Sequence, residues 1–185
     1  IFGSGGYASE VVDWFIANKK LSKIYTLKGF ISDDSKKTFI DFPVLSENNF
    51  EFKKEYYFNI AIGDIKKRSK IIRRYKKINF INIYHPQSVI SKTSKLGKGN
   101  SFGPNCYIGP DTIIGDNNII YYNAIISHGS NIGSNNFIGP GAKILGDCTV
   151  TSSNYFGAGS VLIQKSKIKK NSNFFKANSI TKKKN

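Results

Sequence analysis

Three short stretches of this sequence carry groups suited to chemistry. The run "ISHGSNIGSNNFIGPGA", residues 126–142, holds His128, one of two histidines in the chain. A neutral imidazole takes up a proton readily near neutral pH, so His128 has the chemistry of a general base toward an attacking amine or hydroxyl. A surface imidazole on a repeated turn is equally compatible with no chemistry. "GSGGYAS", residues 3–9, stands between an apolar strand and an amphipathic segment. Backbone N–H groups of such a loop, with the helix N-terminus behind them, could meet a phosphate, although a tight strand-to-helix turn needs glycine in any case. "SDD", residues 32–34, closes the next strand, where a dinucleotide fold holds a ribose or base edge with a carboxylate. Together the glycine loop and the carboxylates favour a nucleotide at the strand ends over a solvated turn.

Two kinds of element must position these groups. From Leu96 to Ile180 every sixth residue is Leu, Phe, Ile or Val, and four positions after each, from Asn100 to Asn178, stands a small or amide side chain. Glycine follows the apolar residue directly at Gly97, Gly103, Gly109, Gly115, Gly133, Gly139 and Gly157. A helix needs apolar spacings of three to four and an ordinary strand needs alternation, so a period of six fits neither. It suits a solenoid in which each hexad makes a short strand and a turn, the apolar residue filling the core and glycine supplying the turn's dihedrals. The first eighty-odd residues read instead as alternating strand and helix, hence an α/β domain with a small parallel sheet. Its first helix is expected to share Val11, Val12, Phe15 and Ile16 on one face, and "INFINIYH" is expected to be its fourth strand. The division is drawn at residues 1–85 and 86–185, with Pro86 ending the last strand of the first domain. "IFGSGG" reads as a strand entered partway, so residues are expected to precede Ile1.

The formal charge of +16 is spread over both halves, 16 basic against 9 acidic residues up to His85 and 12 against 3 beyond it. An AT-rich coding sequence accounts for much of this Lys, Asn and Ile. With no helix-turn-helix or aromatic RNA-binding signature, no nucleic-acid partner is expected. Every apolar run is cut short by Gly, Asn or Lys, so no membrane span is expected and the chain is read as cytoplasmic. Cys106 and Cys148 are too far apart for a zinc knuckle and fall on repeat positions, and two distant histidines add no metal site. His85, before Pro86, is read as structural.

The hexad pattern resembles the left-handed parallel β-helix of the hexapeptide-repeat acyltransferases, in which three hexads make a triangular coil. The likeness implies roughly five coils here. A glycine-loop βα unit, "GFISDD", "AIG" and then hexads, in that order, resembles the bacterial nucleotide-sugar and sialic acid acetyltransferases over nearly the whole chain. The resemblance implies a Rossmann-like domain binding a nucleotide sugar through Gly3, Gly5, Gly6, Tyr7, Asp33, Asp34 and Gly63. It implies His128 as general base, acetyl-CoA as donor lying along Gly141, Ala142 and Gly146 with its phosphates toward the lysine-rich C-terminal coils, and a homotrimer with active sites between subunits. The acceptor it implies is the amine of a UDP-4-amino sugar. O-acetylation of a sialic acid hydroxyl, or a non-catalytic scaffold, stands as the alternative. The chain departs from the family at four places: Gly129 stands where a carboxylate commonly follows the histidine, Phe137 replaces a second histidine, Tyr7 replaces a histidine of the glycine loop, and Tyr121 replaces an asparagine.

Overall fold

The computed structural model describes residues 1–33, 37–169 and 172–174. From Ile83 onward the six-residue beat becomes a three-sided prism. Each hexad forms a two-residue strand, and strands one coil apart stack in parallel register, as Ile108 does on Ile126 and Ile126 on Ile144. The first face carries strands at 83–84, 101–102, 119–120, 137–138, 155–156 and 173–174. The second carries 89–90, 107–108, 125–126, 143–144 and 161–162, and the third 95–96, 113–114, 131–132, 149–150 and 167–168. The apolar residue of each hexad points inward: Phe102, Ile108, Ile114, Ile120, Ile126 and Ile132 are all at most 1% exposed. Each such side chain contributes about 1.5–3 kcal/mol by leaving water, so the period is the core.

The glycines after these residues do something other than supply turn dihedrals. The left-handed φ values fall two positions further on, at Asn105, Asp111, Asn117, Asn123, Gly129, Asn135 and Asp147. Asn and Asp tolerate that region, which explains their frequency there. Gly103, Gly109 and Gly139 are needed for close stacking, because a Cβ on them would lie 2.6 Å from Tyr122 N, 2.7 Å from His128 N and 2.7 Å from Phe156 O in the next coil.

One edge of the prism is stitched by an internal asparagine ladder. Asn118 donates its backbone N–H at 2.8 Å and its side-chain amide at 3.1 Å to Asn100 Oδ1, and its own Oδ1 accepts both from Asn136 in the same way. Asn118→Leu breaks the ladder in the middle and orphans buried groups on both sides. We expect it to destabilise the chain by at least about 2 kcal/mol, measured as a lowered midpoint of denaturant unfolding.

In the N-terminal domain, Phe2 bridges Ile31 and Ile60 in parallel. Beyond Ile31, β1 (Phe30–Ile31) pairs in parallel with β3 (Phe42–Leu45), to which β2 (Thr38–Phe39) adds an antiparallel edge. On the other side β4 (Tyr57–Phe58) pairs in parallel with β5 (Asn79–Phe80). Alternate residues face opposite sides. Phe30 and Ala61 pack under α1 (Gly6–Ala17) and α2 (Lys19–Ile24), while Phe2, Ile31 and Ile60 pack under α3 (Ile65–Arg74). This is the expected Rossmann-like arrangement.

Two further expectations are corrected. Ile16 is 49% exposed and Trp14 takes the buried place at 4%. The reason is that α1 is covered on two sides, by its own sheet and by the solenoid, where Trp14 meets Tyr121 at 5.8 Å. "INFINIYH" is not one strand. Asn79–Phe80 completes the first domain's sheet, whereas Ile83–Tyr84 already pairs with Ser101–Phe102 as the first rung of the prism, ahead of Pro86.

Candidate active site

The glycine loop, the end of β1 and the start of α3 enclose a cleft of about 720 Å³. It is lined by Gly3, Gly5, Gly6, Tyr7, Asp33 and Gly63, six of the residues expected there. Asp34 lies outside the described residues. The glycines differ in role. Gly3 has φ +96° and a Cβ on it would come within 2.8 Å of Ala61 O, so it is needed for the fold. A Cβ on Gly5 or Gly6 would meet nothing within 4 Å, leaving open space at the N-terminus of α1. No acidic residue occupies the first turn of that helix, so its unpaired N–H groups present a positive end to the cleft. Asp33 Oδ1 accepts from Ser46 Oγ at 3.1 Å, which orients the carboxylate at the opposite rim.

Sequence reading missed Lys67 and Lys70, which also line the cleft. Asp64 caps α3, its Oδ1 accepting from Lys66 N at 2.7 Å and Lys67 N at 3.0 Å. Those N–H bonds, the one from Lys67 foremost, hold its carboxyl below the ordinary carboxylate range. The cap sets where α3 begins and hence which lysines reach the cleft. The same helix inserts Arg68, fully buried, into the prism: Nε donates to Asn135 Oδ1 at 2.9 Å and a terminal nitrogen to Asn136 O at 3.1 Å. Burial among neutral oxygens pulls this guanidinium down to about 10.

Three of the four departures from the family pattern turn out to touch. Tyr7 and Tyr121 lie 5.3 Å apart and Tyr121 and Phe137 5.7 Å apart, with the Tyr121 hydroxyl donating to Glu10 Oε1 at 2.9 Å. Together with Trp14 they form an aromatic seam along which the first domain sits on the first face of the prism. Burial pushes the Tyr7 and Tyr121 phenols well above their ordinary value.

His128 stands elsewhere, on the edge between the second and third faces, opposite the face that carries its own N-terminal domain. Its side chain is 58% exposed, as the turn position predicts. Gly146 lies one coil above, and a Cβ there would come 2.6 Å from Cε1 and 2.7 Å from Nε2 of the imidazole. Gly146 is buried beneath that ring, so its visible role is to seat His128. His128 Nδ1 is 3.7 Å from Asp147 Oδ1, a pair no sequence motif announced. Gly141, with φ +64°, and Ala142 occupy a different edge, between the first and second faces. Ala142 is a core residue with no exposed surface, so only its backbone could meet a ligand.

Among the described residues no three His, Cys, Asp or Glu side chains converge as a metal site would require, and no helix is long and apolar enough to cross a membrane.

Comparison with known proteins supports this anatomy. Residues 1–75 match the PglD N-terminal domain, and residues 93–128 and 129–164 each match the bacterial transferase hexapeptide of six repeats. No curated protein matches the sequence. Among solved structures, WeeI from Acinetobacter baumannii is similar at 20% identity and a TM-score of 0.79, over 94% of this chain and 92% of its own. The acetyltransferase domain of PglB from Neisseria gonorrhoeae, in complex with acetyl coenzyme A, is similar at 18% identity and 0.68, over 96% and 92%. A histidine variant of perosamine N-acetyltransferase from Caulobacter crescentus, in complex with CoA and GDP-perosamine, is similar at 20% identity and 0.68, over 90% and 88%. The chain thus joins a PglD-type N-terminal domain, over residues 1–75, to bacterial transferase hexapeptide repeats, over residues 93–164.

Proposed function

We propose that the protein transfers the acetyl group of acetyl-CoA to the amine of a nucleotide-linked amino sugar, with His128 as general base. The observation that carries the reading is the pairing of two features: a phosphate-ready cleft open above Gly5 and Gly6, and a hexapeptide prism that presents His128 at an exposed edge. Acetyl-CoA supplies an activated acyl carbon. As the amine forms its bond to that carbon and the C–S bond breaks, His128 takes the amine proton and returns it to the departing sulfur, leaving an amide and a free thiol. The structural neighbours whose names record perosamine N-acetylation, and complexes with CoA or acetyl coenzyme A, support donor and acceptor class alike.

The cleft and His128 belong to opposite sides of the prism in one chain, so the active site is completed by a second copy. An outward column on the second face, apolar except at Lys143, supports such packing: Val89 is 56% and Tyr107 40% exposed, and half-buried Ile125 follows in the next coil, with Val161 on the far side of Lys143. Exposed apolar surface of this kind marks an association face. A homotrimer with three equivalent sites is the assembly proposed.

Thiol release from acetyl-CoA across UDP-4-amino sugars, GDP-perosamine, sialic acid and no acceptor tests the reading. Release that depends on an amino sugar supports it, release with sialic acid alone moves the reaction to a hydroxyl, and silence throughout refutes the transferase assignment. In the same assay, replacing Lys67 and Lys70 together by Ala removes two cations from the cleft. We expect a KM for the nucleotide sugar raised about tenfold, on the order of one charge-assisted hydrogen bond, with the KM for acetyl-CoA unchanged.

A further inference from the structure

We propose that Asp147, one coil above the histidine, is the positioning carboxylate of His128, taking over from the neighbouring residue in the chain, which here is Gly129. The inference rests on the base assignment of His128 above. Four observations on one edge of the prism converge on it. Asp147 Oδ1 faces His128 Nδ1 at 3.7 Å, a contact that a small rotation of two partly exposed side chains closes to a hydrogen bond. Gly129 clears the way: a Cβ there would lie 2.4 Å from Asp147 Oδ1. Gly146 clears the seat of the ring itself. The second oxygen of the carboxylate, Oδ2, accepts from Gln164 Nε2 at 3.4 Å, so the run Gln164, Asp147, His128 spans three successive coils.

Position 147 also has φ +59°, a place where this chain uses Asp and Asn for backbone reasons alone. That accounts for the residue type. The same reason covers Gly129, at φ +64°, but it does not account for Gly146, whose missing Cβ leaves the imidazole its seat beside the carboxylate. The chemical consequence is specific: a proton held on Nδ1 toward Asp147 leaves the Nε2 lone pair free to take the proton of the attacking amine. Gly129 and Asp147 occupy the same turn position one coil apart, so the loss of a carboxylate at 129 and its presence at 147 compensate each other.

The test reads the imidazole directly and uses the whole protein. With two histidines in the chain, nitrogen-15 spectra of the neutral side chains are simple, and His128 is identified by the signals lost in His128→Ala. We expect the Nδ1–H tautomer to dominate in the wild type and the Nε2–H form, preferred by free imidazole in water, to return in Asp147→Asn. Turnover in Asp147→Asn is expected to fall about 10- to 100-fold in kcat with both KM values within twofold. The double variant Gly129→Asp with Asp147→Gly moves the carboxylate back one coil and is expected to recover most of the activity that Asp147→Gly alone loses. An unchanged tautomer in Asp147→Asn overturns the proposal, as does a double variant no more active than Asp147→Gly. Should His128→Ala retain turnover, the base assignment fails instead, and the tautomer measurement still reports on the pair.

Discussion

His128→Ala is expected to lower acetyl transfer about 10²- to 10⁴-fold, the usual contribution of a positioned general base. The fold should not notice. The imidazole points outward, and the links of residue 128 to its coil are made by its backbone, whose carbonyl accepts from Asp147 N at 2.9 Å. Loss of rate should therefore come with an unchanged melting temperature and an unchanged elution volume on gel filtration. Near-normal turnover in a correctly assembled variant would remove His128 from the chemistry. The second-largest effect is expected at a residue with no side chain. Gly146→Ala puts a methyl group 2.6 Å from the imidazole and forces the ring off its seat. Misplacement of a reacting group by about 1 Å costs on the order of 100-fold, so kcat should fall by that factor. The ring has solvent to move into, so stability should change little. A different outcome, kcat unchanged with a raised KM for acetyl-CoA, would assign Gly146 to the donor groove and not to the seating of His128.

These two predictions depend on a vertical relation that linear reading does not display. The hexad period was legible because each beat puts one apolar side chain into the same core, and burial makes that choice strict. The phase of the period placed His128 at a turn and outside the core, which the structure bears out. The glycine role was misread for a physical reason. In a chain, glycine suggests dihedral freedom, yet at Gly103, Gly109 and Gly139 the constraint is the backbone of the next coil, and the left-handed positions belong mostly to Asn and Asp. Asp147 was missed because its partner is 19 residues away; reading residues in columns of one coil, with 129 beneath 147, would have put the carboxylate beside the histidine.

The seam between domains shows the same division. Tyr7, Tyr121 and Phe137 look in sequence like three unrelated losses of polar groups, and only their contact shows that they form one aromatic surface. Arg68 reads as one more cation in "IKKRSK", and only the docking of α3 against the prism makes it a fully buried one. By itself the sequence determined the two architectures, their order, the glycine-loop cleft and the exposed histidine, because each follows from local periodicity or from a turn's chemistry. Tertiary structure alone decided which residues face each other across coils and domains: Asp147 with His128, Lys67 and Lys70 with the glycine loop, and the first domain with the face opposite the histidine. Such pairings depend on how far the chain climbs per coil and on which surface the first domain buries, and neither quantity is written at any one position.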